Sequence, residues 1–279
     1  MGLKNSFMTA GMTARVTAGT AARITADRLA GRVRFGLPAL VVFLLAGCAA
    51  GPGPDGFNDP FESTNRKVHS FNRGLDRVAV GPLAGGYVSI LPEPAQNVVS
   101  NMANTLDLPG DILNNILQAR IDDAATNTLR LGVNLTMGVA GIFDAATAIG
   151  LPVQPTDFGE TLHVWGAGEG PYLEIPFSGP STVRDAVGTA VDLAVNPVRF
   201  LLPAREATAA SVIKLLSRLR DRGRFANTVE SILYDSADSY AQSRLLFLQN
   251  RRFALGQSDP ASAATNDDFI DPYEDPYAQ

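Results

Sequence analysis

The feature that most constrains the fold of this chain is a recurring spacing of three and four residues between apolar side chains. It starts behind Asp59-Pro60-Phe61-Glu62, in which Asp59 is suited to cap a helix, Pro60 to enter its first turn and Glu62 to close a capping box. The apolar positions at this spacing are Phe61, Thr64, Val68, Phe71, Leu75 and Val78. Such a stripe occupies one face of an α-helix, so the sequence predicts a helix from Asp59 onward.

The same spacing returns in later segments, each of which is predicted to be helical. Asp111 and Ser181 are expected to cap two of these helices. The apolar faces lie within residues 98–106, 112–117, 121–129, 183–195, 212–219 and 229–248. Strand patterns are scarce, and the best is a short hairpin that joins Leu162 and Val164 to residues 173–177 across a glycine-rich turn. The predicted fold class is therefore mainly α, in a single domain.

The N-terminal segment is typical of a secretory signal. Residues 1–47 carry six basic side chains against one acidic side chain, with an apolar run from Leu37 to Leu45. The run is shorter than the ~20 apolar residues that cross a bilayer. It ends in Leu45-Ala46-Gly47-Cys48, which resembles the lipobox of bacterial lipoproteins, and Cys48 is the only cysteine. We expect cleavage before Cys48, N-acyl and S-diacylglycerol chains on that residue, and a Gly/Pro-rich tether over residues 48–58.

Charge separates the C-terminal end from the rest of the chain. The whole chain has 23 Lys and Arg against 28 Asp and Glu, and residues 256–279 carry six acidic side chains and no basic one. A segment with so little aliphatic content does not order itself, so residues 256–279 are predicted to be a disordered acidic tail and residues 59–255 the folded helical domain. No basic face with interleaved aromatic side chains is present, which argues against nucleic acid as a partner.

Residues 132–150 form an unusual apolar stretch, with one charged side chain and glycines at positions 132, 138, 141 and 150. One interpretation is a fully buried helix. Four glycines, however, weaken a plain helix by about 1 kcal/mol each relative to alanine. The favoured interpretation is a bent, mobile hairpin that dips into one membrane leaflet and gates a passage. Its gate candidates are Gly138, Gly141, Phe143 and Asp144.

The residues of an ordinary hydrolase are missing. The two histidines, His69 and His163, lie on unrelated segments, Gly-x-Ser-x-Gly does not occur, and no His/Asp/Glu spacing is typical of a metal site. We therefore predict no catalytic residue, no metal and no cofactor beyond the acyl anchor. In a lipid-modifying enzyme, Ser178 or Ser181 near His163 would be the least poor candidates.

A basic stretch stands out in this acidic protein. Seven Lys and Arg side chains lie within residues 199–224. Among them Lys214 sits in an apolar run, where a lysine usually extends along the surface to water. The alternative is that Lys214 faces a polar passage and meets a lipid phosphate. Helix geometry then places Arg218 close to the same face, while Arg220 and Arg222 turn away toward headgroups or a partner.

A series of short motifs extends over residues 59–249. The motifs are Asp59-Pro60-Phe61-Glu62, Asn65-Arg66, Phe71-Asn72, Arg130, Asn134, Gly138 to Asp144, Asp157 to Leu162, Trp165-Gly166, Gly170 to Leu173, Pro176-Phe177, Gly179 to Thr182, Arg184-Asp185, Tyr240 and Leu248-Gln249. In order and spacing they resemble the MlaA/VacJ family of outer-membrane lipoproteins. Two features depart from the family pattern: the acidic tail after Gly256, and Ala237-Asp238-Ser239 in place of a more usual Asp-Pro-Tyr turn.

The resemblance implies a ring-like arrangement of amphipathic helices around a central channel, anchored in the periplasm-facing leaflet of the outer membrane. It implies that misplaced phospholipids leave the outer leaflet through this channel and pass to a periplasmic lipid-shuttle protein. It further implies binding to trimeric porins. Lys214 and Arg218 are then the candidates for headgroup contact. Two other functions stay open: a structural porin-associated envelope lipoprotein and a lipid-modifying enzyme.

Overall fold

The structure, a computed structural model, describes residues 57–257. Most of these residues are helical, which confirms the predicted mainly α fold class. The predicted signal segment 1–47, the anchor residue Cys48, most of the tether 48–58 and nearly all of the acidic tail lie outside the described residues. Their boundaries, and the arrangement of the helices as a ring, stay predictions.

The helices follow one another with short connections, and two π-helical segments lie between them. The π-helical segments are π1 (Asp76–Val80) and π2 (Ser231–Asp235). No helix within residues 57–257 is long and apolar enough to pass through a bilayer. The α-helices, in chain order, are α1 (Glu62–Leu75), α2 (Gly81–Ile90), α3 (Glu93–Leu117), α4 (Ile121–Thr136), α5 (Ala145–Ala148), α6 (Phe158–Val164), α7 (Val183–Val195), α8 (Pro197–Leu201), α9 (Ala204–Arg224), α10 (Ala226–Glu230) and α11 (Ser239–Ala254).

A single antiparallel hairpin joins β1 (Tyr172–Ile175) to β2 (Gly179–Thr182) in the part of the chain that the structure describes. The predicted hairpin was wrong in its first strand, because Leu162 and Val164 lie in α6. The side chain of Asp157 accepts a backbone hydrogen bond from the first turn of α6. This cap favours helical winding where the alternation of apolar residues alone favoured a strand.

Two predicted helix starts are also wrong. Helix α3 continues through Pro109, so Asp111 lies inside a helix and does not cap one. A proline removes one backbone donor but leaves the other hydrogen bonds of a long, packed helix in place. Thr182, and not Ser181, caps α7, since its hydroxyl accepts a hydrogen bond from the amide of Asp185.

The side chain of Asp59 does not cap α1 as predicted but joins the first and last helices. Its carboxylate accepts hydrogen bonds from Asn65 of α1 and from Tyr240 and Arg244 of α11. The apolar pattern predicted over residues 229–248 is interrupted after π2, and Asp238 caps a new helix, α11. One carboxylate therefore bonds to both the first and the last helix of the domain.

The polar and apolar faces of the first helices are inverted relative to those of a helix in a water-soluble domain. Phe71 is 49% exposed and Val78 is 80% exposed, whereas Asn65, His69 and Asp76 are buried. Other large apolar side chains that are mostly exposed are Leu83, Ile90, Met137, Phe177, Phe200, Leu201 and Phe253. Buried polar side chains include Gln96, Asn114, Asn115, Asn127, Arg130, Asn134, Thr161 and Glu174. An exposed apolar surface of this extent indicates contact with an apolar partner or a membrane.

The best-packed apolar cluster lies where the hairpin meets α11. Tyr172 and Tyr240 pack edge to face with ring centroids 5.9 Å apart, and Leu248 is buried beside them. Phe57 and Phe247 cover this cluster. It anchors the start of the described chain to its last helix, while much of the remaining interior is polar.

Candidate functional site

An open cavity of about 530 Å³ lies among α3, α4, α7, α9 and the segment between α5 and α6. This volume falls in the range of roughly 300–1,000 Å³ that is usual for small-molecule sites. Leucine, valine and proline side chains form its apolar lining. The charged residues that line it are Asp107, Asp111, Arg130, Asp157, Asp192, Lys214 and Arg218. The cavity therefore offers charges of both signs in a largely apolar setting.

The two predicted headgroup residues, Lys214 and Arg218, line this cavity from α9. Lys214 forms an ion pair with Asp107 of α3, and the two side chains are 27% and 53% exposed. Arg218 lies one turn further along α9 and is exposed. It has no ion-pair or hydrogen-bond partner within residues 57–257. Helix α9 thus brings one weakly paired cation and one unpaired cation to the cavity.

Asp111 is the most perturbed carboxyl group of the cavity. Burial raises its pKa to about 7, and the negative charges of Asp107 and Asp192 act in the same direction. A backbone hydrogen bond from Thr156 and the charge of Lys214 oppose this rise. A carboxyl group in such surroundings gains from the approach of a cation.

Sequence reasoning missed the carboxylates of this cavity. Asp107 and Asp111 stand four residues apart in one helix, which is a spacing that places two side chains on one face and was available as a signal. Asp192 comes from α7, and its carboxylate accepts hydrogen bonds from Asn114 Nδ2 at 3.0 Å and from the amide of Phe158 at 2.9 Å. Only the fold brings Asp192 to the other two.

The glycine-containing segment is a tight turn between α4 and α5. Because α4 ends at Thr136, the segment is not one continuous buried helix. Three successive residues adopt the left-handed conformation: Val139 at φ 52°, Ala140 at φ 58° and Gly141 at φ 86°. This conformation costs roughly 1–2 kcal/mol for each residue other than glycine. The structure therefore places the bend at the predicted position and shows it to be strained.

The gate candidates Gly138 and Gly141 allow close backbone packing in this turn. A Cβ atom at Gly138 would lie 2.3 Å from the carbonyl oxygen of Phe143, and one at Gly141 would lie 2.8 Å from Thr105 Oγ1 of α3. The side chain of Phe143 points outward and is 60% exposed. The turn thus packs on α3 on one side and presents an apolar side chain on the other.

Asp144, the fourth gate candidate, fixes the far end of the turn. Arg130 Nη2 donates to both of its carboxylate oxygens, and Arg130 Nη1 donates to the carbonyl of Leu151. Burial disfavours the charge of Asp144, but hydrogen bonds from Thr147 and Asn134 and the charge of Arg130 outweigh it and lower the pKa. Arg130 is 3% exposed. The turn is therefore held by a buried, multiply bonded arginine.

Arg220 and Arg222 turn away from the cavity as predicted, but the predicted destination, headgroups or a partner, is wrong. Arg222 donates to both carboxylate oxygens of Asp76 at 2.8 Å, and Tyr234 donates to the same carboxylate at 2.9 Å. Arg220 donates to Asn97 Oδ1 at 2.6 Å. Both arginines are therefore used inside the protein, where they join α9 to π1 and α3, and are not directed toward headgroups or a partner.

The structure does not bring together the residues that the sequence offered for a lipid-modifying enzyme, Ser178 or Ser181 and His163. Ser181 donates to the carbonyl of its neighbour, and within residues 57–257 no hydrogen bond joins Ser178 or Ser181 to His163. A different chain of groups is present, in which Ser239 Oγ lies 3.0 Å from His69 Nε2 and His69 Nδ1 lies 3.2 Å from Glu174. All three are at most 6% exposed. The described residues also contain no cluster of His, Cys, Asp and Glu arranged for a metal ion.

The fold and the cavity define a mainly helical protein with an extensively apolar exterior and a polar, charged interior. The sequence model of the family described as "MlaA lipoprotein" matches residues 57–254. The chain belongs to this family, which confirms the resemblance found in its motifs.

Curated relatives extend this result. The chain is 32% identical over 252 residues to the "Intermembrane phospholipid transport system lipoprotein MlaA" of Shigella flexneri, covering 86% of this chain and 98% of that protein. It is 31% identical, with the same coverage, to the Escherichia coli (strain K12) protein of that name. A solved structure described as "Structural basis for maintenance of bacterial outer membrane lipid asymmetry" superposes with a TM-score of 0.61 at 26% identity, covering 71% of this chain and 98% of that chain.

Proposed function

We propose that this protein removes mislocalised phospholipids from the outer leaflet of the outer membrane through an amphipathic channel and passes them to a periplasmic carrier. The observation that carries this proposal is a charged cavity inside a protein whose outer side chains are extensively apolar. The Shigella flexneri and Escherichia coli relatives, named for intermembrane phospholipid transport, support the same function.

The charges of the cavity suit this task physically. A phospholipid that crosses a bilayer unaided takes its charged headgroup through hydrocarbon, at a cost of several kcal/mol or more. A passage lined with charged and amide side chains lowers this cost because it replaces part of the water around the headgroup. Lys214 and Arg218 are our candidates for the phosphate. A lysine attracts phosphate as a point charge without the bidentate grip of an arginine, which suits a site that must release its lipid.

In this proposal the protein is held on the periplasm-facing leaflet of the outer membrane by acyl chains on Cys48. Two or more chains anchor a protein stably, whereas a single chain gives only marginal binding. Trimeric porin and a periplasmic lipid-shuttle protein are the proposed partners. Mass spectrometry of the purified protein is expected to show Cys48 as the N-terminal residue with acyl chains attached. An unmodified thiol would contradict the proposed anchor.

We further propose that the turn at residues 137–143 gates the passage. Asn101 Nδ2 of α3 donates to the carbonyl of Ile142 at 3.2 Å, so α3 contacts the turn here, and an engineered pair, Asn101→Cys with Ile142→Cys, tests whether joining the two stops lipid movement. Oxidation of this pair is expected to stop lipid movement, and reduction to restore it. Each single cysteine variant is the control. Unchanged transport in the oxidised protein would show that the turn is only a packing element.

Deletion of the gene is the primary test of the proposed function. Phospholipids are expected to accumulate in the outer leaflet at the cell surface, and re-expression of the chain to reverse this. A structural porin-associated lipoprotein predicts a different result: porin binding, no lipid recovered with the purified protein and no accumulation at the surface on deletion.

One observation favours a second candidate, a lipid-cleaving enzyme. The chain Ser239, His69 and Glu174 has the order of a nucleophile, a base and an orienting acid. Its burial argues against access by a substrate, and Arg73 also donates to the Ser239 hydroxyl, at 3.4 Å. Lipid cleavage by the purified protein that disappears in Ser239→Ala would favour the enzyme. We expect no lipid cleavage by the wild-type protein, and we expect Ser239→Ala to lower its stability.

A further inference from the structure

The charges of the cavity are separated by sign among the helices that form it. Apart from Arg130 and Asp157, its cations Lys214 and Arg218 come from α9, while Asp107 and Asp111 come from α3 and Asp192 from α7. A ligand in this cavity therefore meets cations from one helix and carboxylates from two others. A ligand that itself carries one charge of each sign matches that separation.

Two further charged residues of the lining, Arg130 and Asp157, already form ion pairs inside the protein. Arg130 is bonded to Asp144, and Asp157 accepts hydrogen bonds from Arg251 at 2.7 and 2.8 Å. Even so, Arg130 is 3% exposed and its Nε has no hydrogen-bond partner among the described residues. The interior of this cavity thus retains an unused donor in addition to the charges on α3, α7 and α9.

The least satisfied charges of the cavity are Asp111 and Arg218. Asp111 accepts one hydrogen bond within residues 57–257, from the amide of Thr156 at 3.4 Å, which is long for such a bond. Arg218 has no partner in the same part of the chain. Asp192 and Lys214, by contrast, each have one or more close partners. A ligand gains most by pairing with the two groups that the fold leaves unpaired.

We propose that this cavity selects phospholipids whose headgroup carries a primary ammonium, received by Asp111, beside the phosphate, received by Arg218. Phospholipids with an anionic phosphate and an uncharged polyol headgroup are bound less well. This inference rests on the proposed function and names the class of lipid that the cavity takes.

The electrostatics of Asp111 give the selection its direction. Burial, together with the like charges of Asp107 and Asp192, raises the pKa of Asp111 to about 7. An ammonium beside Asp111 relieves that repulsion and donates hydrogen bonds to the carboxylate. A polyol headgroup brings no positive charge, and its phosphate adds a further negative charge to the site. The preference for ammonium should therefore grow as pH rises through 7 and Asp111 ionises.

The test uses the full-length lipidated protein in detergent with an equimolar mixture of phosphatidylethanolamine and phosphatidylglycerol of identical acyl chains. Native mass spectrometry measures the ratio of the two bound lipids at pH 6 and pH 8. We expect about a fivefold preference for phosphatidylethanolamine at pH 8 and a smaller one at pH 6, which is the effect of one partly screened ion pair.

Asp111→Asn should abolish both the preference and its pH dependence. Asp122→Asn, which removes the same charge from an exposed position outside the cavity, should preserve both.

Arg218→Gln is a second variant, and it should weaken binding of both lipids by a similar factor. Binding of both lipids by the wild-type protein without preference, or a preference that Asp111→Asn retains, would overturn the headgroup selection and leave the proposed transport intact. If the wild-type protein bound neither lipid, the proposed function would fail and this inference with it.

Discussion

Arg130 and Lys214 are cations of the same cavity, and the fold treats them in opposite ways. Arg130 is 3% exposed and donates hydrogen bonds to Asp144, Thr147 and the carbonyl of Leu151. Lys214 is 27% exposed and has one ion-pair partner, Asp107, which is itself 53% exposed.

The difference separates a structural cation from one that is available to a ligand. A buried arginine with several acceptors cannot leave them without exposing uncompensated charge. An exposed ion pair is worth about 0–1 kcal/mol and exchanges its partner readily. Arg130 is therefore expected to hold the turn at residues 137–143 in place, and Lys214 to take part in lipid passage.

The largest expected effect tests the structural side of this comparison. Arg130→Met should lower the free energy of unfolding by about 3 kcal/mol, because it leaves the partly buried carboxylate of Asp144 without its charged donor. Arg199→Met is the matched control, since Arg199 is exposed and donates one long hydrogen bond, to the carbonyl of Leu193 at 3.4 Å, so its loss should cost about 0.5 kcal/mol or less. Denaturant titration measures both. Equal losses would show that Arg130 holds nothing in particular.

The next effect concerns the turn that Arg130 secures. Gly141→Ala should destabilise the protein by about 2 kcal/mol, because alanine disfavours φ 86° and its Cβ would lie 2.8 Å from Thr105 Oγ1. Gly132→Ala is the control with the opposite sign. Gly132 lies in α4 with nothing within 4 Å of an added Cβ, so alanine should stabilise the helix by roughly 0.5–1 kcal/mol. Thermal unfolding of the two variants compares them directly, and shifts of the same sign would contradict the account of the turn.

The turn also illustrates how far a sequence predicts this fold. Apolar spacing predicted most helices because it depends only on the geometry of the helix itself. It did not tell which face is buried: the stripe containing Phe71 and Val78 is exposed, and the polar face with Asn65 is inside. A period of 3.6 residues separates an apolar from a polar face of a helix, but it does not show which of the two faces is buried. That assignment needs the neighbouring helices.

The residues of the candidate site likewise fall into those that helix spacing predicts and those that only tertiary packing brings together. Lys214 and Arg218 were predicted as a pair because they stand four residues apart in one helix, and both line the cavity. Asp192 was missed because it belongs to a different helix and only tertiary packing brings it near Asp111. The internal pairing of Arg222 with Asp76 was missed for the same reason, since these residues are 146 positions apart.

The functional side of the comparison is tested by charge reversal on α9. Lys214→Asp should slow lipid transport markedly while the protein still folds and binds porin, because it places a second carboxylate beside Asp107 in the cavity. Arg224→Asp is the control, and it is preferable to the same change at Arg222. Arg224 is exposed, whereas reversal of Arg222 would set a carboxylate against Asp76 and destabilise the fold. Surface phospholipid in complemented deletion cells gives the measurement. Equal effects of Lys214→Asp and Arg224→Asp would mean that the stretch acts as a diffuse basic surface.

The smallest expected effect is a pH dependence of stability that originates in Asp111. Its pKa rises from 3.8 in the unfolded chain to about 7 in the folded protein, so between these values the folded state binds more protons than the unfolded state. The free energy of unfolding therefore falls as pH rises from about 4 to 7 and is constant above that range.

Asp111→Asn removes this dependence, because an amide does not titrate. The variant should match the wild-type protein most closely at pH 5 and exceed it at pH 8. We expect a difference of about 1 kcal/mol after screening by solvent in the open cavity, which corresponds to roughly 2–4 °C in Tm for a domain of this size. Asp122→Asn, at an exposed position, controls for the general loss of one negative charge. A gap between Asp111→Asn and the wild-type protein that stays the same from pH 5 to pH 8 would show that Asp111 titrates normally. In that case Asp111 would be ionised at both pH 6 and pH 8, so a preference of the cavity for an ammonium over a polyol would no longer change between these two pH values.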